Sequence, residues 1–340
     1  MQAQGTILFV APLLLTLAAA PASHAQPPSA VAPSAADSTR GVLAIRAATA
    51  LEDLYFNARW RSEIIVDGAW PEPVGAVWSM ASHLSAKFGS PLAWGALDAL
   101  AAGCESGVEL AERWAALPET LALPGGRSVE LRGPALTFAQ ALEAAEPAYR
   151  NMHILSRFDE PAARVTNGFS GPLQSALSEA CSVLELPVPA SVQVLLVSQA
   201  PRPGAMTLRT AQGPICVVGV AGFEGTLLEE AVLHEAIHAA DAAATGGVLA
   251  ELRAKLELAG IAKTDPRYRD AVHTIFFVQA AETIRHLADP AHVDYGDARG
   301  YYERVGPLAG TVRAAWTSHV RGEITKDEAL ERIVAAATGS

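Results

Sequence analysis

The chain is expected to fold as a mostly helical α+β protein with a small sheet. Three observations predict this. Helical apolar spacing fills the region from residue 40 to about 160. Three short segments rich in β-branched residues follow between 191 and 222. Helical spacing returns from Thr226 to the end.

The 340 residues allow one large domain or two modest ones. Half of them are hydrophobic, enough for a sizeable core, and 18% are charged. That charge content argues against a disordered chain. The net charge of −11, with no clustered Lys or Arg stripe, argues against a nucleic-acid partner.

The chain opens with an apolar run from Ile7 to Ala20, followed by Ser23-His24-Ala25 before Gln26. A bilayer span needs about 20 apolar residues, so this run reads as a signal peptide over 1–25. No Lys or Arg precedes it. The expectation is a secreted or periplasmic protein with no stable membrane anchor after cleavage. Residues 26–39, "QPPSAVAPSAADST", read as a flexible leader.

From 40 to 160 the pattern predicts a helical N-terminal region. "GVLAIRAATALEDLYFNARW", "AVWSMASHLSAKF" and "LAWGALDALAAGCESGVELAERWAAL" carry apolar residues at three- and four-residue steps. Trp60, Trp70, Trp78, Trp94 and Trp114 gather here, and core packing is the preferred reading over an aromatic groove. "LPGGRSVELRG" predicts a turn and a short strand, and "TFAQALEAAEPAYRNMHILSRF" a further helix. Residues 161–340 are expected to form the second domain. It starts with an amphipathic helix in "GPLQSALSEACSVLEL". Strands follow at "SVQVLLVS", "AMTLRT" and "PICVVGVAG". The cysteines Cys104, Cys181 and Cys216 allow one disulfide with a thiol left over, or three small buried side chains. Their spacing selects no pair.

"AVLHEAIHAADAA", residues 231–243, sets polar residues into an alanine-rich helix. Thr226 with Glu229 reads as a capping box, and Gly246-Gly247 as the stop, so the helix should run from about Leu227 to Thr245. His234 and His238 then lie one turn apart on one face, with Asp241 nearly in line. Glu235 lies about 100° around from His234. H-E-x-x-H on a helix suits a zinc ion held by two imidazoles, with the carboxylate reaching the water that the ion activates.

The next helix is expected from Asp265-Pro266 to just before Pro290. Ile275, Val278, Gln279, Glu282 and His286 share one of its faces. Glu282, in an apolar section, is the expected third ligand, with His286 as its substitute or as a donor to substrate. His273 lies nine residues before Glu282, a rotation of about 180°, and so falls outside this expectation.

With H-E-A-I-H at 234–238 and the glutamate of "QAAET" at 282, the chain resembles gluzincin metallopeptidases. It is distantly similar to the catalytic domain of the anthrax lethal factor family. The resemblance covers roughly residues 175–300. It implies a zincin-like catalytic domain with the small sheet packed on the motif helix. It also implies one zinc ion per chain, and a peptide or protein substrate cut by a metal-activated water with Glu235 as general base. The family places a tyrosine before its ligand glutamate where this chain has Ile275. The oxyanion donor is therefore sought among Tyr295, Tyr301 and Tyr302 in "HVDYGDARGYYERV", which read equally as structural residues. Asp241 reads either as a partner orienting His238 or as a solvent carboxylate at the helix end. Asp294 is a lesser third-ligand candidate, as in aspzincins. The alternative to an enzyme is a non-catalytic exported helical protein with a structural zinc site or no metal.

Overall fold

The computed structural model describes residues 42–63, 70–89, 91–152, 169–201, 204–210, 212–221, 223 and 225–339. The expected signal peptide and leader lie outside them. The described chain is mostly helical with a small mixed sheet, as the patterning predicts.

The sheet contains four strands in the order β1-β4-β6-β5: Val42–Ala47, Ser191–Val197, Gly213–Gly219 and Ala205–Thr210. The first three are parallel, and β5 runs antiparallel to β6 at the edge. Two further short strands, Thr120–Ala122 (β2) and Ser128–Glu130 (β3), form an antiparallel hairpin. Strand periodicity sends alternate side chains to opposite faces, and both faces are buried. Val192, Val194, Leu196, Cys216 and Val218 face one core. Leu195, Val197, Ile215 and Val217 face another.

The second core is built with five helices. They are α1 (Ala50–Arg61), α2 (Glu72–Phe88), α3 (Pro91–Ala101), α4 (Gly107–Ala115) and α5 (Arg132–Arg150). Trp78, Trp94 and Trp114 are buried in it, so core packing is what they do. The first core is built with α6 (Phe169–Val183), α7 (Leu227–Ala243), α8 (Val248–Leu258) and α9 (Pro266–Leu287). The short α10 (Tyr295–Ala298) and α11 (Tyr301–Val305) follow, then α12 (Pro307–Val320) and α13 (Lys326–Thr338) complete it.

One expectation is corrected by the structure. Residues 42–47 form a strand, not the start of a helix. Helix α1 begins at Ala50 behind a Thr49–Glu52 capping box. "VLAIRA" pairs with β4, some 150 residues away in sequence, and no local pattern reveals so distant a partner. The sheet therefore takes strands from both sides of residue 160. The cysteines are all free and buried: Cys104 in one core, Cys181 and Cys216 in the other.

The strands at 191–197, 205–210 and 213–219 fall where the sequence places them. So does α9, with Asp265 capping the Arg267 amide and Pro266 in the first turn. The motif helix α7 starts at Leu227 as expected, but Thr226 makes no side-chain cap. Its hydroxyl is instead 2.6 Å from His292 Nδ1.

Candidate metal centre

Helix α7 is buried along most of its length, between the sheet and helices α6 and α9. A helix clad on all sides is apolar on all sides, which explains its alanines. Its polar residues consequently meet other elements of the fold rather than water.

His234 and His238 lie one turn apart with their rings edge to face, and their Nε2 atoms are 3.1 Å from each other. From the facing helix α9, His273 brings its own Nε2 to 3.2 Å from that of His234. The three residues form a group whose ligand atoms all lie within 4.8 Å of one another. Two nitrogens bound to one tetrahedral zinc at ~2.0–2.1 Å stand ~3.3 Å apart, so the observed separations fit a shared ion. Aromatic rings fix the imidazoles. Phe276 stacks on His238 at 3.9 Å, Phe277 lies 4.2 Å from the His234 ring, and Tyr301 flanks His273 at 5.9 Å. His234 is buried, whereas His238 and His273 are partly exposed, so the cluster is open on one side.

Burial depresses all three imidazole pKa values. For His238 the result is about 3, with the Arg253 charge adding to the effect. His234 falls well below its usual value through burial and then the charges of His238 and His273. His273 falls for burial, His238 and Arg269. At neutral pH the trio is therefore neutral, the state in which imidazole offers a lone pair to a metal. Three nitrogen donors suit zinc, copper, iron or nickel and do not discriminate among them.

Glu235 projects toward the sheet. Thr207 on β5 donates its hydroxyl to the carboxylate Oε2 at 2.7 Å and also lies 2.9 Å from the Glu235 carbonyl oxygen. Burial raises the carboxyl pKa to about 7, against the opposing pull of the Thr207 hydrogen bond. A carboxyl poised there can both take and return a proton near neutral pH.

Glu282 does not join the imidazoles. Its carboxylate accepts from Arg285 Nη1 at 2.6 Å and from Arg321 at 3.3 and 3.4 Å. The half-turn rotation that separates it from His273 is the reason. Only one of these two residues can face α7, and it is His273. Asp241 does not orient His238 but is clasped bidentately by Arg253 at 2.9 and 2.6 Å. His286 is exposed and meets Glu179 at 2.9 Å. Asp294 accepts from Arg285 and Arg313 and caps α10 through the Asp297 amide.

The tyrosines divide. Tyr301 is buried, with its hydroxyl 3.3 Å from that of Thr274. Tyr302 packs under the Arg313 guanidinium at 4.6 Å, its buried hydroxyl without a hydrogen-bond partner. Tyr295 is sandwiched between Phe277 at 5.5 Å and Phe223 at 5.7 Å. Phe277 is also the ring that contacts His234, so Tyr295 lies one ring away from the cluster.

The sequence reading missed His273 and Thr207. His273 carried the signal used for Glu282, a polar residue in an apolar stretch, but was excluded by face. Thr207 carried none, because its partner lies 28 residues on. No protein-family model, curated protein or solved structure matches the chain.

Proposed function

We propose that the chain is an exported zinc-dependent hydrolase of peptide bonds, with His234, His238 and His273 as ligands and Glu235 as general base. The observation that carries this reading is the convergence of three imidazole nitrogens from two facing helices, with the buried Glu235 carboxyl next in sequence to one of them, His234. A zinc ion held there supplies a Lewis acid that polarises a carbonyl and brings the pKa of water down to about 7. Glu235 takes the proton of the attacking water on its carboxylate and delivers it to the departing amine nitrogen. Thr207 keeps that carboxylate turned toward the edge strand.

The edge strand supports a peptide as substrate. Among the described residues, β5 has a ladder partner on one side only, β6. Its other edge suits an extended chain adding by backbone hydrogen bonds. A purely structural zinc site is closed by four protein ligands. The group gathered among the described residues contains three, which favours a position left for water and substrate.

Metal analysis of the purified chain should find about one zinc. Glu235→Gln should keep it and lose about 10²–10⁴-fold in hydrolysis of a peptide library. Undiminished cleavage by that variant, or a wild-type chain that takes up no metal, would sink the proposal.

A further inference from the structure

Thr226, Glu230, His234 and His238 recur at four-residue intervals, so α7 carries one polar stripe that extends beyond the imidazoles. Glu230 is buried to 1% exposure, and its carboxylate has two partners. His292 Nε2 lies 2.8 Å from its Oε2, and the Tyr295 backbone amide donates to the same oxygen at 2.7 Å. The far nitrogen of His292 meets Thr226, so the loop before α10 is tied to the first turn of α7 at two points. His292 is itself buried, with 1% of its side chain exposed. Both hydrogen bonds fall on Oε2, while Oε1 is buried without a hydrogen-bond partner. The pair fixes the backbone amide of Tyr295, the residue whose ring stacks with Phe223 and Phe277.

We infer that Glu230 and His292 are positioning residues, a buried clamp that holds Tyr295 against Phe277, the ring that contacts His234. This rests on the hydrolase reading above and adds a component that H-E-x-x-H spacing does not contain. Glu230 touches neither water nor substrate. It acts through Tyr295, and its contribution should vanish when the phenol is absent.

A double-mutant cycle with metal content and steady-state kinetics tests this. Glu230→Ala is expected to lower kcat by about 10–100-fold with KM changed less than about threefold and zinc content unchanged. Glu230→Gln, which keeps an acceptor oxygen for the Tyr295 amide and folds more readily, should restore most of the loss. In a Tyr295→Phe background, Glu230→Ala should cost nothing further. Losses that multiply in the double variant, or Glu230→Gln no better than Glu230→Ala, would overturn the clamp. If the wild type cleaves no peptide, the hydrolase reading fails separately. Fluorotyrosine placed at 295 then decides the clamp by ¹⁹F NMR. A signal that shifts or broadens in Glu230→Ala supports it, and an unchanged signal overturns it.

Discussion

The two faces of the sheet bury polar groups in opposite ways. On the side of α1 to α5, Asp53 accepts from the Ser198 amide and, at 2.5 Å, from the Tyr149 hydroxyl. Asn57 donates to the Tyr149 hydroxyl at 3.2 Å and to the Ser198 hydroxyl at 3.0 Å, and accepts from Arg61. Within this Asp53–Asn57 network donors meet acceptors. On the side of α7 and α9, three imidazole nitrogens face one another. A neutral imidazole has one N–H and one lone pair, so protons cannot match all three nitrogens at once. A cation can. A saturated network such as that of Asp53 ties elements together. A cluster of converging lone pairs could hold a metal ion.

The largest effect that could break this contrast is on metal affinity. His273→Ala should weaken zinc binding at least about 10³-fold, since changes outside the ligand set already cost about 10–100-fold. In the wild type, zinc at about a thousand times its Kd should stabilise the fold by about 4 kcal/mol, read as a rise in Tm. Glu282→Ala should retain both the zinc and the thermal gain. If Glu282→Ala empties the site and His273→Ala does not, the assignment of ligands is reversed.

A smaller effect sharpens the other side. Asp53→Ala strands the Ser198 amide and the Tyr149 hydroxyl without their acceptor, and should cost about 2–4 kcal/mol in urea unfolding. Zinc stoichiometry should not change, because the sheet lies between the two clusters. Loss of zinc in a folded Asp53→Ala would show that the two faces are coupled.

The smallest effect concerns pH. Asp98, buried in the same core as Asp53, accepts from the Tyr55 hydroxyl at 2.6 Å, and burial raises its pKa to about 6. The folded state then holds a proton that the unfolded chain, near 3.8, has released. Stability from this group is therefore present below about pH 4 and declines as pH rises to about 6. Asp98→Asn should remove a decline on the order of 2 kcal/mol. Unfolding midpoints of wild type and variant that run parallel from pH 4 to 7 would contradict it.

Much of the site was legible in the chain. The segment 226–247 announces a helix, and four-residue spacing puts His234 and His238 on one face, because both facts depend only on neighbours in sequence. The helix that supplies the third donor was also legible, from Asp265-Pro266 to its end before Pro290. Its orientation was not. A helix buried on most sides has no polar face to give its orientation away, so His273 and Glu282 were equally placed until packing turned one of them inward.

The sequence by itself therefore determined most of the elements and the pair of imidazoles, chiefly through backbone periodicity. Only the tertiary structure decided which residue completes the cluster. It likewise decided that β1 belongs to the sheet, that Thr207 holds Glu235, and that Thr226 serves His292 rather than its own helix. Each of these joins groups far apart in the chain. Such contacts depend on how whole elements pack, and no short-range pattern encodes that.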